Sequence, residues 1–513
     1  MSKMLCQLTL LLTICTAAAA AVPVSRLTVD TSRHFQVMDN FGANDAWTME
    51  PIGVEWSETN KERIADLLFS TNTGIGLSCW RFNLTAGINH ETIKSGWRTG
   101  ESFETAPGKY DWTRRPGQRW FLRAAKARGV TQFAATVYSP PLRLTRNGLS
   151  NSGGDTNSTT NLKPGAEDDF AQYLADILCH FRDDPDPAER IAFNYLIPVN
   201  EPQWKWQEKQ EGCRYSNADL RRLYPALKGR LDTEGLGTKL LGPESGSIPD
   251  MYSLNQAASD RWHSDYGDYL RFICGDPQLA ACFSGIITYH SYWSDKIPDE
   301  MAPRRAALGR AKAAYLGWRL WQSEYCIMES GRDLGMDAAL RLARVIHCDL
   351  ALAGASAWQW WLAVANGDYK DGLIYTDYKR PGDLENILPS KTFWTLGNYS
   401  RFIRPGMVRV GLSGPQNLHG LLATACLNPT TGQTVLVLVN NADTPQRIMF
   451  RFTRDTETPG TFTPYVTSAT WDLAAGKPFI PAAGYLMESQ SVVTLVGTNI
   501  EKRNPRRGVS ARN

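Results

Sequence analysis

Histidine is scarce in this sequence. There are 7 in 513 residues, and no two stand in a His-x-His or similar ligand spacing. The cysteines form no Cys-x-x-Cys pair and no Cys/His cluster, so neither a structural zinc site nor a metallohydrolase centre is expected. Net charge is nearly absent as well: 55 Lys and Arg against 52 Asp and Glu give +3. That balance offers no field for nucleic acid or an acidic membrane surface. Long apolar runs are missing too. The stretch Leu8–Cys15 is too short to stay in a bilayer. With Lys3 before it and Ala17–Ala21 after it, it reads as a cleaved signal peptide over residues 1–21. Secretion or a periplasmic location is expected, without a membrane or lipid anchor.

Tryptophan is the residue in excess, at 17, many of them beside charged or amide residues. About half suit a core. The others suit sugar binding, where an indole face stacks on the C–H face of a pyranose and keeps a polar edge. Export also permits disulfides. Cys274 and Cys282, flanking a Gly-Asp-Pro turn, are the candidate pair.

Between residues 39 and 404, strand-like runs alternate eight times with amphipathic helices. The strands start near Phe41, Gly76, Thr131, Ile191, Lys239, Phe283, Arg319 and Ala355. The helices follow near Asn60–Phe69, Gln118–Ala127, Glu167–Phe181, Asn217–Leu231, Asp260–Ile273, Arg304–Tyr315, Asp337–Ala353 and Ser390–Phe402. Eight such units predict an α/β fold, most simply a closed (β/α)8 TIM barrel, with a doubly wound open sheet as the alternative. After Arg404-Pro405-Gly406 the helical period stops. Short β-rich runs separated by turns predict a β-sandwich over 405–500, joined by an N-terminal strand at 22–38. Residues 501–513 read as a flexible basic tail.

In a barrel, chemistry sits where strands end. The fourth strand runs into Asn200-Glu201-Pro202 and the seventh into Ser323-Glu324-Tyr325, so two carboxylates face each other across the mouth. Glycoside hydrolysis needs that pair: one carboxyl gives a proton to the leaving oxygen while the other, ionised, attacks the anomeric carbon. A separation of about 5–5.5 Å implies retention of configuration. Glu244, ending the fifth strand, is a third carboxylate at the mouth, for a sugar hydroxyl or for an arginine. A carbohydrate-binding protein without catalysis would keep the tryptophans but has no need of both glutamates.

Seven stretches in order sharpen this reading: Asp39–Trp47 (DNFGANDAW), Gly74–Leu84 (GIGLSCWRFNL), Tyr138–Pro141 (YSPP), Val199–Gln203 (VNEPQ), Tyr289–Trp293 (YHSYW), Trp321–Tyr325 (WQSEY) and Ala357–Leu362 (AWQWWL). Together they resemble glycoside hydrolase family 30 of clan A, most closely its endo-β-1,6-galactanase-like branch.

The resemblance implies Glu201 as acid/base and Glu324 as nucleophile. It implies Asn200 on the sugar 2-hydroxyl, Arg81 beneath Glu324, and Asp45 with Trp47 gripping the sugar at the cleavage subsite. It further implies a hydrogen bond to the nucleophile from the end of the sixth strand, where Tyr289, His290 and Tyr292 are the candidates. Trp358 and Trp360 share one face of the eighth strand and are expected to look into the barrel, one of them as the subsite floor. Trp204 and Trp206 are candidate stacking residues on the leaving-group side. An oligo- or polysaccharide is the expected partner, with no cofactor and a monomeric chain. Other specificities of the family remain open: β-1,6-glucan, glucosylceramide, xylan and β-fucosides. Sequons begin at Asn83, Asn157 and Asn398, the first of them inside a strand and therefore expected to be idle.

Overall fold

The computed structural model describes residues 22–155, 159–254, 265–454 and 458–498. The expected signal peptide and basic tail lie outside the described residues, as does Asn157 with its sequon.

Eight parallel strands form one sheet: Asn40–Asn44, Cys79–Asn83, Gln132–Thr136, Tyr195–Ile197, Lys239–Leu240, Ile286–His290, Arg319–Glu324 and Ala355–Trp360. Neighbours in sequence are neighbours in space, and the eighth strand pairs with the first. The remaining gap, between fifth and sixth, is spanned by the parallel bridges Leu240–Phe283 and Ser245–Tyr289. Paired around its whole circumference, the sheet is TIM-barrel-like.

Parallel strands covered on both faces are buried along their whole length. All of Cys79–Asn83, Ile286–His290 and Ala355–Trp360 is buried. Inward-facing Cys79, Ala134, Ile197, Ile286, Trp321 and Ala357 belong to the cluster that fills the ring. The outward faces pack on helices Glu58–Phe69, Pro116–Ala127, Glu167–Asp183, Asn217–Thr233, Pro298–Lys312, Met336–Cys348 and Lys391–Ser400. Of the helix expected over Asp260–Ile273, the described part is a π-helical turn, Leu270–Cys274, and residues 260–264 lie outside the described set. The sequence reading also missed a small sheet after the eighth strand, formed by Leu362–Ala365, Gly372–Tyr375 and Leu388–Pro389.

The C-terminal segments and the first strand, Val24–Val37, form a second sheet of nine strands. Val24–Val37 lies between Val408–Ser413 (antiparallel) and Gln446–Phe452 (parallel). A sandwich of two sheets was expected; hydrogen bonding instead makes one continuous sheet. It curls, since Phe452 and Phe462 from distant strands share one core with Leu27, Val29 and Leu438.

The expected disulfide is not formed: Cys274 and Cys282 are both free, as are the other cysteines among the described residues. The Cys282 thiol points at the Gln278 carbonyl, 3.5 Å away, inside its own helical turn. Asn398 is fully buried, and its side-chain amide donates to Tyr465 O and Thr494 Oγ1 at 3.0 Å each, so this sequon is as inaccessible as that of Asn83.

Candidate active site

Glu201 and Glu324 meet at the mouth of the barrel, where one oxygen of each and a ring nitrogen of His290 all lie within 4.8 Å of one another. Period-2 alternation would not have aimed Glu324 there. Trp321 faces inward, so Glu324, three residues on, should face the helices. Pairing with the sixth strand slips by one residue between Gln322–Tyr289 and Glu324–His290. The extra residue resets the face and turns Glu324 inward.

Five ionisable groups tie the site together. His290 Nδ1 is 2.9 Å from Glu201 Oε1, and its Nε2 is 3.0 Å from Glu244 Oε2. Arg81 Nη2 donates to the same Glu244 oxygen at 2.9 Å and stands 3.7 Å from Glu324 Oε2. Arg81 Nη1 donates to the Ser323 carbonyl. The Tyr292 hydroxyl donates to Glu324 Oε1 at 3.0 Å. Glu324 Oε2 and Asn200 Oδ1 are buried and have no hydrogen-bond partner among the described residues, so both stand ready for a ligand.

Burial acts on all of these groups and the charges decide against it or with it. His290 is disfavoured as a cation by burial, yet Glu324, Glu201 and Glu244 raise it to about 10. Glu244 is pushed up by burial, but Arg81 and then His290 hold it at about 2. Burial raises Glu324 to about 7 against the pull of His290 and Arg81, with Glu201 adding to the rise. Two fixed cations and one fixed anion leave the site one positive charge in excess. That excess is what draws Glu324 toward its ionised form against burial. A divalent cation among Glu201, His290 and Glu324 would instead meet Arg81 and displace a histidine whose two nitrogens already serve carboxylates.

Several expected contacts fall elsewhere. Tyr289 does not reach Glu324. It points out of the barrel, its hydroxyl 3.3 Å from Asp349, which also accepts from Ser291, Arg305 and Trp358. His290 faces Glu201 and Glu244, leaving Tyr292 as the donor to Glu324. Trp358 and Trp360 are fully buried on the helix side, because the face they alternate with carries Ala357, just before Trp358, into the interior. Neither is a subsite floor. Asp45 has no exposed surface, and its Oδ1 accepts from the Asn83 backbone N–H at 2.9 Å, so it ties two strand ends together behind the wall. Burial raises it to about 8. Glu244 takes the second of its two expected roles, pairing with an arginine.

The aromatic wall consists of Trp47, Tyr138 and Trp361 from the ends of the first, third and eighth strands, with ring centroids 5.4–6.0 Å apart. Tyr138 and Trp361 were visible only as members of quoted motifs and were given no role. Behind Trp47 lies Glu211, raised by burial to about 8 against Arg115. Trp204 and Trp206 behave differently. The Trp206 indole donates to the Glu201 carbonyl at 3.1 Å and lies where a Cβ on Gly212 would be, so it braces the loop that carries Glu201. Trp204 lies over Gly246, whose missing Cβ would also come within 2.9 Å of the Glu201 carboxyl. Trp204 is therefore the indole beside Glu201.

Backbone strain concentrates at the same ends of the strands. Glu201, Glu244 and Trp293 have φ of 42°, 59° and 59°, a region costly for residues with a Cβ, about 1–3 kcal/mol each.

A parallel, barrel-like sheet with facing glutamates ending its fourth and seventh strands defines a glycoside hydrolase. The chain matches the profile of O-glycosyl hydrolase family 30 over residues 24–375, well over half its length, and belongs to that family. It is 21% identical over 436 residues to the glucuronoxylanase XynC of Bacillus subtilis (strain 168), covering 82% of this chain and 87% of the relative. Among solved structures, a conserved exported protein from Bacteroides fragilis superposes with a TM-score of 0.81 at 28% identity, over 92% of this chain and 99% of the other. The catalytic domain of the xylanase C of family 30 from Talaromyces cellulolyticus gives a TM-score of 0.69 at 20% identity, over 92% and 100%. The endo-β1,6-glucanase BT3312 gives 0.68 at 17%, over 93% and 94%. At these last identities the likeness shows the fold.

Proposed function

We propose that the chain is an exported, retaining, endo-acting hydrolase of β-1,6-linked galactan, such as the side chains of plant arabinogalactan. Its catalytic barrel spans 39–404, and the sheet built from 22–38 and 405–500 is structural. The observation carrying the chemistry is the approach of one oxygen of Glu201 to within 4.8 Å of one of Glu324, which favours the short carboxyl spacing of retention over the wide spacing of direct displacement by water. Glu324 attacks the anomeric carbon from the side where Arg81 and Tyr292 support its charge. Glu201 delivers its proton to the leaving oxygen, then takes one from the water that frees the sugar. Asn200, with its amide oxygen unclaimed, meets the 2-hydroxyl. The galactan assignment rests on the motif resemblance, strongest in GANDAW and GLSCWRFN. Trp204 beside the acid/base suits the flat C3–C4–C5 face of galactose. De-arabinosylated arabinogalactan should give galactose oligomers of mixed size early in the reaction. Monosaccharide alone would mean exo action. Inertness there, with turnover of β-1,6-glucan or xylan, would end the galactan reading.

A further inference from the structure

Within the unbroken run Ile286–Asp295, one side chain is exposed. Every residue of that segment is buried except Trp293, which is 50% exposed. The loop around it is pinned on all sides. The Ser294 hydroxyl donates to Ser291 O at 2.7 Å, Asp295 accepts from the Tyr325 hydroxyl at 2.7 Å, and Arg305 donates to Ser294 O at 3.1 Å. Arg304 holds the Trp293 carbonyl itself at 2.8 Å. The indole makes no ring contact among the described residues, and its backbone sits at φ 59°, a conformation that bulky side chains rarely adopt. A rigid loop that spends strain to leave a large apolar ring in water is poorly explained by packing and well explained by a ligand.

Its position says which part of the ligand. Trp293 directly follows Tyr292, the donor to Glu324, and lies three residues beyond His290, the neighbour of Glu201. Its loop and that of Trp204 flank the fifth strand's Glu244-Ser245-Gly246 segment. The Trp47–Tyr138–Trp361 wall stands on loops of the first, third and eighth strands, across the mouth. The acid/base must face the leaving oxygen, so the leaving sugars extend to the side of Trp204 and Trp293.

Resting on the hydrolase reading above, we propose that Trp293 is a stacking platform for a pyranose ring on the leaving-group side of the cleft, beyond the sugar nearest Trp204. Its face offers no hydrogen bond to a linkage, so it favours chain length over sugar identity and belongs to an enzyme acting within chains.

The test uses the full chain and ladders of two to six sugars from β-1,6-galactan, β-1,6-glucan and β-1,4-xylan. Trp293→Ala should raise KM about five- to tenfold on the longer oligomers of whichever ladder is cleaved, with kcat little changed. On an aryl glycoside of the same sugar, kcat/KM should stay within about twofold. Trp293→Phe should restore most of the affinity. Trp293→Gly, which suits the backbone angle, should bind as weakly as Trp293→Ala yet melt at or above the wild-type temperature. Calorimetric binding in a Glu324→Gln background reads the same affinities without turnover. Equal losses on oligomer and aryl glycoside, or unchanged oligomer affinity, overturn the platform. So does failure of all three ladders to bind. A Trp293 effect on glucan or xylan, with galactan inert, keeps the platform and removes the galactan reading.

Discussion

His290 Nδ1 stands 2.9 Å from Glu201 Oε1 while the opposite nitrogen meets Glu244. A histidine raised to about 10 stays cationic through the neutral range. Its folded pKa lies above its unfolded value, so its contribution to stability is complete below about pH 6.5 and fades as pH rises toward 10. His290→Gln should lower the melting temperature at pH 6 and lose that deficit toward pH 10. A pH-independent deficit would show that the imidazole is not held as a cation.

Glu324→Gly should remove turnover of every substrate, on the order of ten-thousand-fold. Glu201→Ala should keep forming the glycosyl-enzyme from aryl glycosides with good leaving groups, which need little protonation. Azide should then restore turnover and give a β-glycosyl azide. NMR of the first product from the wild type should show the β-anomer. Identical behaviour of the two variants on activated substrates would reverse or dissolve the roles.

Tyr292→Phe removes the hydroxyl that donates to Glu324. A hydrogen bond to a charged group is worth about 1.5 kcal/mol, so kcat/KM should fall about tenfold. The carboxylate form of Glu324 loses support, and the acid limb of the pH profile should move upward. Tyr289→Phe, which touches Asp349 instead, should leave that limb in place.

Asp45 is raised by burial to about 8. Its stability contribution is therefore largest below the unfolded carboxylate pKa near 4 and is lost as pH rises through 8. Asp45→Asn should gain melting temperature relative to the wild type between pH 4 and 8. A constant difference across that range would contradict a buried neutral carboxyl.

Ending the chain near Gly406 should give insoluble protein. Gln36 donates to Leu350 O and Ala355 O, and Asn398 to Tyr465 O and Thr494 Oγ1, so the second sheet is bonded into the barrel's helical layer. A soluble, fully active 1–406 fragment would refute this.

The alternation of strands and helices was legible because period 2 and period 3.6 are local properties. The two glutamates were legible because a carboxylate at the end of an apolar strand has little local excuse. What escaped the sequence was which face a strand turns inward. Trp358 and Trp360 do share a face, but the crowded ring takes the small Ala357. The slip before Glu324 leaves no mark in its own strand, and Tyr289 and Tyr292 differ only through the bend after His290. Glu244 finds its role through Arg81, from three strands away.

The pairing of Val24–Val29 with Arg447–Phe452 sets the order in which this protein can be completed. The first strand emerges from the ribosome about 420 residues before its partner. At roughly 5–20 residues per second that is a wait of about 20–80 s. Until then at least one of its edges lacks its native neighbour. The second sheet thus cannot be completed until nearly the whole chain has been made, so its closure is one of the last steps of folding rather than one of the first.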